Sequence, residues 1–170
     1  MTTSTDILED AFTRIRDTVR RAAHGLSDAE LATRVDDGAN SIAWLVWHLT
    51  RVQDDHIADV AGTDQVWTRD GWHERFGLPF APDATGYGQS ADEVAQVAGL
   101  SSEQLIGYHD AVYEATVAYL RTLGNADFER VVDEAWDPPV TLAVRLVSVI
   151  SDDLQHAGQA SFVRGMLKRR

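Results

Sequence analysis

The sequence contains no cysteine. That excludes disulfides, thiolate-bound zinc and a cysteine nucleophile. Any thiol chemistry here must use a thiol carried in on a small molecule. Positive charge is scarce as well: 15 Lys and Arg stand against 27 Asp and Glu, a formal net charge of -12. A protein that grips nucleic acid needs a basic face to displace phosphate counterions, so this balance argues against that partner. No apolar run approaches the roughly 20 residues of a membrane-spanning helix. The N-terminus "MTTSTDILEDAF" has neither the basic nor the apolar region of a signal peptide, and the expected location is the cytoplasm. Proline is rare, with 4 in 170 residues, and no Pro/Gly/Ser-rich linker or internal repeat divides the chain. One domain over residues 1–170 is expected.

What the sequence does have is helical periodicity. Asp6 followed by Glu9 reads as an N-cap with a capping acid. Leu8, Phe12, Ile15, Val19 and Ala22 then recur at three- and four-residue intervals on one helical face. Ser27 and Glu30 repeat the capping signal before a short helix, "DAELATRV". A second long helix opens at Asn40 or Ser41, "SIAWLVWHLTRVQDDHIADVAG", and closes at Gly62. A third starts from Ser101 or Ser102 and ends before Gly124, with Leu105, Val112, Thr116, Tyr119 and Leu123 as its inward stripe. Pro138 and Pro139 keep "RVVDEAWDPPVTL" extended, and Thr141 opens a fourth helix running to about Leu167. Four long helices with little strand signal predict an all-α four-helix bundle.

The second and third helices are joined by nearly forty residues, 63–100, rich in aromatics, with one short helix expected around 91–98. A connection that long can cross the bundle, so those two helices can run parallel. Its aromatics predict that it packs over something. Trp67 and Trp72 within it, and Trp136 in the extended segment, are the candidate walls of a substrate pocket, since irregular segments carry such roles.

The stretch "SDDLQHAGQ" puts polar residues into an otherwise apolar last helix. Asp152 and His156 are four apart, one above the other on a helix at about 6 Å of rise. Two side chains so placed can reach one metal ion, whereas Asp153 points about 100° away. His48 lies in the most apolar turn of the second helix, where an unpaired imidazole is costly. It is the candidate third ligand. One oxygen and two imidazoles suit a divalent ion such as Zn²⁺, with Ni²⁺ or Fe²⁺ as alternatives, and three protein ligands leave a position open for substrate. Each part also has a plainer reading. An i, i+4 Asp–His pair can be a surface ion pair, and His48 can be a core histidine bonded to a carbonyl. Asp55, seven residues past His48 on the same face, is a weaker candidate for proton transfer, against the reading of Asp55 and His56 as a solvated helix end.

At these residues the chain resembles a family. "NSIAWLVWHLTRVQDDH" together with "SDDLQHAGQ" looks like the DinB-like superfamily of metal-binding four-helix proteins. The pattern "WDPPVTLAVRLVSVISDDLQHAGQ" is most similar to members regarded as mycothiol S-transferases, and related to mycothiol-dependent maleylpyruvate isomerase. The resemblance implies His48, Asp152 and His156 as the metal ligands, with Asp152 standing where many members have His and the isomerase relatives have Glu. It further implies mycothiol as thiol cosubstrate, a small electrophile as its partner, a role in detoxification, and assembly as a homodimer. Arg51 and Arg145 are then candidate contacts to the polar thiol. Isomerase or metal-assisted hydrolase activity on the same scaffold, or ligand binding without catalysis, are the alternatives.

Overall fold

The computed structural model describes residues 2–169; Met1 and Arg170 of the expected domain lie outside the described residues. Eight helices follow in order: α1 (Ser4–Ala23), α2 (Asp28–Leu31), α3 (Ile42–Ala61), α4 (Val66–Arg69), α5 (Trp72–Phe76), α6 (Ala91–Ala95), α7 (Ser102–Leu120) and α8 (Leu142–Leu167). A 3₁₀ turn, Asn125–Glu129, precedes the strands β1 (Val131–Asp133) and β2 (Val140–Thr141). The strands pair antiparallel, with Val131 opposite Thr141 and Asp133 opposite Val140.

The four long helices close a ring. α3 and α1 each pack against both α7 and α8. Thr50 meets His109, Gln53 meets Thr116 and the Val60 carbonyl meets Tyr119, so α3 and α7 run parallel. That is the arrangement expected of a crossover. α8 returns antiparallel to α3, placing His156 beside His48 and Arg145 beside His56.

Capping explains the helix starts. Ser27, Ser41, Ser101 and Thr141 each accept a backbone N–H of the first turn, each worth about 1 kcal/mol. Gly62 ends α3 in the left-handed conformation, with φ 67°. The first helix begins earlier than expected. Its cap is Thr3, which accepts from the Asp6 N–H while the Asp6 carboxylate accepts from the Thr3 N–H. Asp6 is thus the reciprocal acid rather than the cap. The predicted stripe of α1 is buried at Phe12, Ile15, Val19 and Ala22. The inward face of α7 includes Tyr108 and His109, which the predicted stripe omitted, while Tyr119 and Leu123 are only half-buried. Burial pushes the His109 imidazole down to about 4.

The crossover is more structured than predicted, with α4 and α5 in addition to α6. It covers the outer face of α3, which explains why residues 42–51 are buried without interruption. Phe80 lies against Trp47, and Gln89 accepts from the Trp44 indole N–H at 2.7 Å. Its anchor is a buried polar knot. The Asp54 carboxylate accepts the N–H groups of Val66 and Trp67 and the Tyr108 hydroxyl, at 2.8–2.9 Å. Arg51 donates to the Pro82 and Ala84 carbonyls.

Candidate metal centre

The Ala84 carbonyl held by Arg51 is one residue from Thr85, and Thr85 sets the first side chain of the site. Nδ1 of His48 lies 2.6 Å from the Thr85 carbonyl. A carbonyl only accepts, so Nδ1 carries the proton and Nε2 keeps its lone pair. The crossover can approach this closely because residue 86 is glycine at φ 92°. A Cβ there would sit 2.9 Å from His48 Nδ1 and 2.9 Å from Trp47. Trp44, one turn before His48, stacks on its ring at 4.5 Å and meets the His156 ring edge-on at 6.2 Å.

On α8 the same logic repeats. Nδ1 of His156 is 3.0 Å from Gln159 Oε1, an acceptor, which leaves Nε2 bare and 3.6 Å from Asp152 Oδ1. His48, Asp152 and His156 each present one ligand atom, and all three atoms lie within 4.8 Å of one another. The second carboxylate oxygen, Asp152 Oδ2, is buried without a hydrogen-bond partner among the described residues. Two imidazoles with Nδ1–H engaged on fixed acceptors, a free Nε2 on each, and a neighbouring carboxylate with an orphaned oxygen form a donor set that fits a divalent cation.

Electrostatics agree with that fit. Burial pushes the His48 imidazole below its ordinary value, partly offset by the Thr85 carbonyl and Asp152. It is neutral and ready to ligate near pH 7. Burial also pushes Asp152 upward, but the His156 hydrogen bond and the charges of His156, His48 and His56 outweigh it, and the net shift is downward. His156 is raised, first by its hydrogen bond to Asp152.

A cavity of about 380 Å³ opens beside the ligands. Val52, Asp55, His56, Thr85, Tyr87, Ser148 and Val149 line it together with His48 and Asp152. Asp55 is at the wall, where it accepts from the Gln65 amide at 2.7 Å.

The other expected contacts lie elsewhere. Arg51 is fully buried and pins the crossover rather than facing a thiol. Trp67 is buried against Phe76 and Tyr108, while Trp72 packs on Tyr108 and over Gly107. Trp136 is 67% exposed. None of the three lines the cavity; the crossover offers Thr85 and Tyr87 there instead. Trp67, Trp72 and Phe76 of the crossover instead anchor it on Tyr108 of α7. Arg145 sits behind the cavity wall, bonded to Asp133 at 2.9 Å and 3.5 Å from His56.

Sequence reasoning assigned no site role to Trp44, Gly86 or Tyr87, and His56 read as part of a solvated helix end. Trp44 carried a usable signal, an aromatic four residues before the ligand His48. "TGYG" did too, with glycines on both sides of a tyrosine in a segment that must approach something.

Fold and site together define a DinB-like four-helix bundle with a candidate metal centre between its second and fourth long helices. The chain belongs to the mycothiol-S-transferase family, whose sequence model matches residues 7–168. Among solved structures it is similar to a conserved protein from Enterococcus faecalis, at 28% identity over 100% of both chains with a TM-score of 0.92. No curated protein matches the chain. Among the described residues, no helix is long and apolar enough to cross a membrane.

Proposed function

We propose that the protein is a metal-dependent thiol S-transferase that conjugates a low-molecular-weight thiol, mycothiol, to small electrophiles. The observation that carries this reading is the convergence of His48, Asp152 and His156 on one point at the edge of the cavity. Membership in the mycothiol-S-transferase family supports it. The absence of any cysteine fits as well, since the reacting sulfur must then come from outside the chain.

Bound by these three side chains, a divalent cation such as zinc, nickel or iron would supply Lewis acidity that lowers the pKa of an incoming thiol. The protein's own groups do the rest. The Thr85 carbonyl and Gln159 hold both imidazoles in the tautomer that presents Nε2. Trp44 packs against the rings of both histidines. The cavity falls within the roughly 300–1,000 Å³ range of small-molecule sites. It takes an electrophile, while the sugar part of the thiol extends past the exposed ring of Tyr87 at its rim.

Two measurements test the proposal together. Purified protein should carry close to one equivalent of divalent metal, and His48→Ala or His156→Ala should lose it along with thiol-consuming activity. Turnover of the electrophile with mycothiol but not with water alone supports transfer. Equal turnover with water would favour a hydrolase, and metal retained by both variants would refute the ligand assignment.

A further inference from the structure

The cavity contains a histidine that the metal centre does not use. His56 lies two turns past His48 on α3 and lines the same space. Behind it stands Arg145 of α8, itself fixed by Asp133 of β1 at 2.9 Å. Arg145 reaches toward His56 Nδ1 at 3.5 Å. A guanidinium has donors only. An imidazole facing it must present a lone pair at Nδ1, so the ring proton is on Nε2. Among the described residues Nε2 has no protein partner. It is the one polar group of this ring left for a guest of the cavity.

Building on the S-transferase reading, we infer that His56, oriented by Arg145, donates Nε2–H to the carbonyl oxygen of the electrophile, and that the substrate class is α,β-unsaturated carbonyl compounds. Away from the metal ligands the wall favours a neutral guest over an anionic one, because Asp55 faces the cavity and the guanidinium of Arg145 behind it is paired with Asp133. A carbonyl satisfies both demands. It is uncharged when it enters and develops charge on oxygen only as the reaction proceeds.

The step balances without a further reactant. The thiol releases its proton to solvent and its sulfur bonds to the β-carbon. The alkene electron pair moves through the α-carbon onto oxygen, where the His56 N–H meets the growing charge. A proton from solvent then adds to the α-carbon and the carbonyl re-forms. Thiol and electrophile become one thioether, and nothing is oxidised or reduced. Donors placed at such an oxygen commonly contribute about 100-fold or more to rate.

The first test needs no activity. On zinc-loaded, ¹⁵N-labelled wild-type protein, long-range ¹⁵N–¹H spectra should show His56 as the Nε2–H tautomer. N-ethylsuccinimide, which carries the carbonyls without the reactive alkene, should shift its Nε2 resonance. Arg145→Leu should admit the Nδ1–H form. An Nδ1–H tautomer in the wild type, or no response to the imide up to its solubility limit, overturns the inference. The second test compares electrophiles. His56→Leu should lower kcat/KM for N-ethylmaleimide by about 100-fold, His56→Gln should restore most of it, and benzyl bromide, which has no carbonyl, should change by less than about twofold. Equal losses for both electrophiles would mean that His56 serves structure alone. If the wild type conjugates neither compound, the S-transferase reading fails, and the tautomer and imide titration still decide the role of His56.

Discussion

Asp153 is fully buried on the core face of α8, and neither of its carboxylate oxygens has a hydrogen-bond partner among the described residues. Burial, helped by the neighbouring charge of Asp152, pushes its pKa well above the ordinary range. The folded state therefore keeps this proton to higher pH than the unfolded chain does. Above the unfolded pKa near 4, the unfolded state holds fewer protons, so stability falls as pH rises until the folded pKa is reached. Asp153→Asn removes the titration and keeps the shape. Stability of this variant relative to wild type should rise with pH across roughly pH 5 to 7, by at most about 1.4 kcal/mol per pH unit and only until the folded pKa is reached. Asp153→Leu keeps the branching and replaces both unpartnered oxygens by methyls. Each orphaned polar atom costs about 1–3 kcal/mol, and overpacking by two bulkier methyls returns about 1–3 kcal/mol of that. A net gain of about 1–3 kcal/mol follows, or roughly 2–10 °C in Tm for a chain of this length. Urea unfolding of metal-free wild type, D153N and D153L across this pH range is the assay. A wild type to D153N difference that stays flat with pH would show the carboxylate to be charged and paired, and the reasoning would be wrong.

Two further outcomes follow from the site. Gly86→Ala forces a side chain into a left-handed position and into contact with His48 and Trp47; it should cost about 2–5 kcal/mol and weaken zinc binding measured by chelator competition, whereas unchanged affinity would show that the loop does not position His48. Metal affinity should drop as pH falls through the raised pKa of His156, because a proton on that ring competes with the cation; affinity flat between about pH 8 and 6 would remove His156 from the ligand set.

Much of this was legible in the sequence because helix signals are local. Ser27, Ser41, Ser101, Thr141 and Gly62 each mark a boundary through a bond made within one turn. The triad was legible because Asp152 and His156 share a helical face and His48 stands out in an apolar turn. The roles of Arg51, Trp67 and Trp72 were not, since nothing local distinguishes a guanidinium that meets a ligand from one that meets the carbonyls of Pro82 and Ala84. The start of α1 was missed because two adjacent capping patterns compete and only the geometry at Thr3 chooses between them. His56 looked like a solvated helix end because Arg145, its partner, is 89 positions away.

The acceptor at Thr85 is main chain, not side chain. Mutating the threonine therefore leaves the ring of His48 aimed as before, while inserting or deleting one residue between Pro82 and Gly86 would swing it out of line. Apart from Gly86, evolution can repaint this strap but cannot change its length, and drift in cation affinity across relatives should track loop register rather than the letter found at position 85.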